Sequence, residues 1–137
     1  SHAERSKMMS RIRGTDTGPE RAVRSLLHRM GYRFTLGNRD LPGSPDIVLP
    51  RLGVVVFVHG CFWHRHAGCR QAYNPKTRVS FWRKQFAANV ERDKRVAGQL
   101  RRLGWRVWTV WECEIRQIDK LRKRLDDLLR RAEIDQQ

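Results

Sequence analysis

Acidic side chains are scarce in this 137-residue chain: 14 Asp and Glu stand against 29 Lys and Arg, a formal charge of +15. Long apolar runs are missing too. The longest uninterrupted one, Val54-Val55-Val56-Phe57-Val58, falls far short of the roughly 20 residues a membrane span needs, and the N-terminus carries no apolar stretch of the secretory kind. A membrane protein is excluded on this reading, and a cytoplasmic location is expected. Cysteine is limited to three residues, an odd count that argues against a closed disulfide framework. The length allows one domain. With 39% hydrophobic residues, among them five Trp and five Phe, wholesale disorder is excluded as well.

What is abundant is positive charge, unevenly spread. Residues 51–100 carry ten basic and two acidic side chains, which is +8 of the +15. A surplus of this size implies a polyanionic partner, because Lys and Arg that neutralise phosphates release condensed counterions and gain affinity. Nucleic acid is the expected partner.

Residues 1–14, with Arg5, Lys7, Arg11 and Arg13 around Met8, Met9 and Ile12, show no firm periodicity and read as a basic arm of the kind that orders on DNA. Residues 15–137 read as one domain. Thr17-Gly18-Pro19-Glu20 forms a capping box before a helix carrying Val23, Leu26, Leu27 and Met30, stopped by Gly31. Strands follow at 32–36 and from Asp46 to Leu49. Val54–Val58, continuously apolar, predicts a central strand covered on both faces. After a loop from Gly60 to about Arg78, Phe81, Phe86, Val90, Ala97, Leu100 and Leu103 mark a long helix closed by Gly104. Residues 105–111 read as a strand, and Ile118, Leu121, Leu125, Leu128 and Leu129 as a final amphipathic helix. The order α-β-β-β-α-β-α, with a helix between the third and fourth strands, predicts an α/β domain with a mixed central sheet flanked by helices.

Two constellations carry chemistry. Asp46 opens one short strand and His59 ends the next, so a hairpin brings them together. Cys61, Cys69 and the remote Cys113, with a histidine from the run His59-Gly60-Cys61-Phe62-Trp63-His64-Arg65-His66, match a closed Cys3His structural zinc site. Spacing does not choose among the three histidines, and two remain beside Asp46. A closed zinc site cannot hydrolyse anything, so hydrolysis needs a second ion, and an oxygen ligand such as Asp46 favours magnesium. A neutral imidazole then serves as general base toward water attacking a phosphodiester. The basic side chains Arg65, Arg70, Lys76 and Arg78 are expected to contact phosphates.

The element order and the Asp46 strand resemble the PD-(D/E)xK restriction-endonuclease-like core, with Phe57 and His59 where that core has its second acid and its lysine. A closer resemblance rests on Arg5-Ser6-Lys7-Met8-Met9, Leu41-Pro42-Gly43-Ser44-Pro45-Asp46, His59-Gly60-Cys61-Phe62-Trp63-His64, Asn89-Val90-Glu91-Arg92-Asp93, Gly104-Trp105-Arg106-Val107 and Trp111-Glu112-Cys113. These stretches resemble the very short patch repair (Vsr) endonucleases over about residues 5–130. The resemblance implies a strand-nicking enzyme that cuts double-stranded DNA 5′ to the thymine of a T:G mismatch left by deamination of 5-methylcytosine. It implies that Asp46 holds magnesium with the backbone carbonyl of Val58, that His64 is the general base with His59 its partner at the phosphate, and that Glu20 lies nearby. It selects Cys61, His66, Cys69 and Cys113 for zinc. Phe62, Trp63 and Trp82 resemble the family's intercalating wedge, and Met9 and Ile12 the arm residues that approach from the minor groove. Val58 stands where the best-known members have Thr, which opens a second expectation of altered lesion or sequence preference. A zinc-stabilised DNA-binding module without catalysis is the alternative of another class. Nicking one strand needs only a monomer.

Overall fold

A computed structural model describes residues 18–36 and 39–136. The arm with Met9 and Ile12, and the capping residue Thr17, lie outside the described residues. The elements run α1 (Gly18–Arg29), β1 (Thr35–Leu36), β2 (Ile47–Leu49), β3 (Val54–His59), α2 (Val79–Arg102), β4 (Arg106–Trp111) and α3 (Ile118–Asp135), with short 3-10 turns at Pro50–Leu52 and Glu112–Gln117. The sheet has the order β1-β2-β3-β4. β1/β2 and β2/β3 are antiparallel, whereas β3 and β4, separated in sequence by α2, are parallel.

β3 is an inner strand, and its alternate residues feed two separate layers of core. Val54 and Val56 pack with Val23, Leu26 and Leu27 of α1 and Leu121, Leu125 and Leu129 of α3. Val55 and Phe57 pack with Leu100 and Val96 of α2. The period of two therefore explains the unbroken apolar run: both faces are covered. The first strand is shorter than 32–36 suggests. Tyr32 and Phe34 pack against the α1/α3 side of the core, and only the exposed Thr35 and Leu36 pair with β2. Among the described residues no helix is long and apolar enough to cross a membrane.

Gly43 ties the loop before β2 to α2. Its φ of +72° lies in the left-handed region, and a Cβ there would collide with Val96. This close approach sets the path of the chain into Pro45 and Asp46. The parallel register then brings the ends of β3 and β4 side by side, with His59 opposite Trp111, so that the loop following each strand departs from the same end of the sheet.

Candidate functional site

An open cleft at that end of the sheet is lined by Glu20, Asp46, His59, His64, Asp93 and Trp111, among others. Asp46 enters it just ahead of β2, and its Oδ2 accepts a 2.7 Å hydrogen bond from the backbone N–H of Val58 on β3. Burial pushes the Asp46 pKa up to about 7; the Val58 N–H works against this, while the charge and hydrogen bond of Glu20 add to it. Glu20 itself is only 9% exposed. Two acids held this close with little water repel each other, a repulsion that an oxygen-ligated divalent cation relieves.

His59 and His64 stack in parallel, ring centroids 3.8 Å apart and planes 8° from parallel. Burial, and after it the neighbouring His64, lowers the His59 pKa to about 4. His64 Nδ1 lies 2.7 Å from Asp93 Oδ2 on α2. A carboxylate accepts only, so this contact places a proton on Nδ1, and in the neutral ring Nε2 is then the nitrogen with the open lone pair.

A second cluster adjoins the first. The ligand atoms of Cys61, His66, Cys69 and Cys113 lie within 4.8 Å of one another, and Cys113 Sγ is 3.4 Å from His66 Nδ1. Ligands at about 2.3 Å around one tetrahedral ion would sit about 3.8 Å apart, so the four side chains fit such an ion. Burial raises the Cys61 thiol to about 12 and also raises Cys113, whereas the backbone N–H of Gln71 lowers Cys69. Crowded, partly desolvated thiols of this kind ionise together only around a cation.

The model of the family DNA mismatch endonuclease Vsr matches residues 1–71 of the chain, just over half of it. The chain is 49% identical over 129 residues to the type II nicking enzyme V.XorIIP of Xanthomonas oryzae pv. oryzae, covering 94% of each. It is 45% identical over 119 residues to the DNA mismatch endonuclease Vsr of Escherichia coli (strain K12), covering 87% of this chain and 76% of that one. The chain belongs to the Vsr family of DNA endonucleases. The catalytic domain of the homing endonuclease I-Bth0305I superposes with a TM-score of 0.61 at 21% identity, covering 85% of this chain and 98% of that one; this likeness is one of fold, the restriction-endonuclease-like core.

In this Vsr-family chain the aromatic residues singled out in the sequence do converge. Phe62 stacks on Trp63 at 5.1 Å and contacts Trp82 at 5.5 Å, and Phe86 and the exposed Tyr73 complete the group. Arg70, Lys76 and Arg78 are exposed, with Arg78 lying over Phe81. Val58 is placed by its N–H, which holds Asp46. Arg65, expected at a phosphate, is engaged within its own loop. Its guanidinium donates to the carbonyls of Phe62, Ala72 and Tyr73 and to Asn74 Oδ1, and lies 3.9 Å from the centre of the Phe86 ring. Those bonds turn it inward to tie its own loop together.

Two cleft residues escaped the sequence reading as functional groups, Asp93 and Trp111. Asp93 had a signal: Gln85, Asn89 and Asp93 recur every four residues and all line the cleft, a polar stripe on one face of α2. Arg92, Lys94, Arg101 and Arg116 also line it, giving the cleft the positive charge that a phosphate backbone requires.

Proposed function

We propose that this Vsr-family endonuclease nicks one strand of double-stranded DNA 5′ to the thymine of a T:G mismatch, acting as a monomer. The observation that carries the hydrolytic reading is the Asp93-held His64 in the same cleft as the Asp46 and Glu20 pair. The family relation to DNA mismatch endonuclease Vsr supports the lesion.

In this reading Asp93 orients His64 and fixes its tautomer, and His64 Nε2 removes a proton from water as its oxygen attacks phosphorus. The P–O3′ bond breaks, leaving a 3′-hydroxyl and a 5′-phosphate. His59, kept neutral by its surroundings, supports the phosphate beside His64. Asp46, with the Val58 carbonyl and solvent, would hold magnesium; when bound, the ion supplies positive charge at the scissile phosphate. Glu20 shares the burial of Asp46 and orients the groups around it. Cys61, His66, Cys69 and Cys113 would hold a structural zinc with no open position, pinning the loop that carries His64 to the end of β4. Phe62, Trp63 and Trp82 would wedge into the base stack, at lower cost beside a mismatch than in paired DNA.

The deciding experiment offers T:G-mismatched and matched duplexes to the protein with magnesium, beside the Asp46→Ala variant. Strand-specific nicking of the mismatched duplex, lost in the variant while duplex binding persists, supports the reading. Binding without any nicking by the wild type would favour the non-catalytic module. A panel of all mismatches and an abasic site addresses altered specificity, which the Val58 position favours.

A further inference from the structure

We propose that Trp111 is a positioning residue that fixes the catalytic imidazoles by bridging them to the Cys/His cluster. Its indole stacks on His66 with centroids 4.2 Å apart and planes 9° from parallel, and meets His59 edge-on at 5.5 Å and 74°. His59 in turn stacks on His64. The rings thus run without a break from a member of the four-residue cluster to the proposed base.

Trp111 is itself firmly held. It ends β4 in parallel register with His59. Its backbone N–H donates to Glu114 Oε1 at 3.0 Å, and Arg124 grips both oxygens of that carboxylate at 2.9 Å while also donating to the carbonyl of Thr109 on β4. Sequence offers no shorter route, because His59 and Trp111 lie on strands separated by the whole of α2. A histidine at a strand end keeps rotational freedom unless its ring is boxed in. Here His64 covers a face, Phe57 lies at 5.6 Å, and Trp111 closes the edge. A ring that reaches His66 and His59 together must be long, which suits indole and not a single six-membered ring. Order in the Cys/His cluster is thereby passed to the hydrolytic groups.

The inference rests on the reading of His64 as base, and the experiment separates the two. Full-length wild type, Trp111→Ala, Trp111→Phe and His64→Ala are compared with magnesium and a mismatched duplex. The measurements are single-turnover nicking at saturating protein, duplex Kd, zinc content, and imidazole nitrogen resonances. Trp111→Ala is expected to nick at least about tenfold more slowly with Kd within about twofold of wild type and zinc retained, since misplacing a catalytic group by a fraction of an ångström costs rate and not binding. The His59 resonances shift in this variant while those of the exposed, remote His28 stay fixed. Trp111→Phe, keeping an aromatic face, recovers part of the rate. Wild-type nicking by Trp111→Ala overturns the proposal, as does a rate loss matched by weaker duplex binding or by lost zinc. Should that variant not fold, Glu114→Ala removes the acceptor of the Trp111 N–H and the partner of Arg124 while every aromatic ring stays in the chain: slower nicking at unchanged Kd supports the proposal, and an unaltered rate overturns it. If His64→Ala nicks normally, the base assignment itself fails. If His64→Ala is inactive and Trp111→Ala is not slowed, the positioning role alone fails.

Discussion

The imidazole of His59 lies flat against that of His64, 3.8 Å away, and two cations at that separation would repel, so one ring stays neutral. Burial and His64 hold the His59 pKa down at about 4, whereas an unfolded histidine titrates near 6.5. Between these values the unfolded chain binds more protons than the folded one, so this group's share of stability falls as pH falls from 6.5 toward 4. The wild type should lose at most about 3 kcal/mol from this source over the window. In His59→Asn, thermal melts across the same range should show a shallower decline. Parallel curves for the two proteins would mean that folding leaves the His59 proton affinity unchanged.

Asp46 has the opposite sign. Its folded pKa is raised to about 7 from 3.8, so the folded state binds the extra proton, and stability from this group is lost as pH rises from 3.8 through 7. Asp46→Asn keeps the shape and removes the charge. In magnesium-free buffer at pH 7.5 it should be more stable than wild type, by about 1–3 kcal/mol, while nicking disappears. Adding magnesium should narrow the gap by stabilising the wild type alone. An asparagine variant that melts no higher than wild type without the ion would show that the carboxylate carries no folding cost.

Much of this arrangement could be read in residue order, and the reasons are physical. Val54–Val58 announced an inner strand because burial on both faces removes every polar position. Cys61, Cys69 and Cys113 could be grouped because parallel neighbours bring strand ends together, and 43 intervening residues are then no obstacle. The Asp93–His64 contact had only the Gln85, Asn89 and Asp93 stripe to mark it: a carboxylate among Glu91, Arg92 and Lys94 on a helix looks like a solvated face until the helix is docked. The direction of the Arg65 side chain was hidden for a related reason. Charge composition says that a cation is present, not which way its side chain turns, and its φ of +55° in a tight loop belongs to backbone geometry that residue order does not display. Trp111 read as strand filling because its partners, His59 and His66, meet it only through register and loop closure.

The Cys/His cluster makes its own forecast. Cys113 comes from the far end of β4 and faces Cys61, Cys69 and His66 of the preceding loop, so a shared ion would crosslink two segments that β3 and β4 alone leave free to splay. Metal bound only by the folded chain contributes its binding energy to folding. Cys113→Ala should therefore reduce folded yield and lower the melting temperature by more than about 10 °C. Zinc content should fall from one ion per chain to well below it, measured by elemental analysis. An unchanged melting temperature with zinc retained would remove the crosslinking role.

Arg65 and Arg70, five residues apart in the same loop, should behave as different kinds of arginine. The Arg65 guanidinium is occupied by four acceptors of its own loop and by the Phe86 face, so Arg65→Ala should cost about 2 kcal/mol of stability. Lysine should not restore it, because a single ammonium cannot span a fork of acceptors. The exposed Arg70 should leave stability within about 0.5 kcal/mol when changed to alanine. Salt titration of duplex binding then reverses the order: Arg70→Ala should reduce the slope of log affinity against log salt by about 0.9, the value of one phosphate contact, and Arg65→Ala should leave it unaltered. A reduced slope in Arg65→Ala would show that the side chain swings out of its loop to meet DNA. The present contacts oppose this, since four hydrogen bonds and a cation–π contact would have to be exchanged for one screened ion pair.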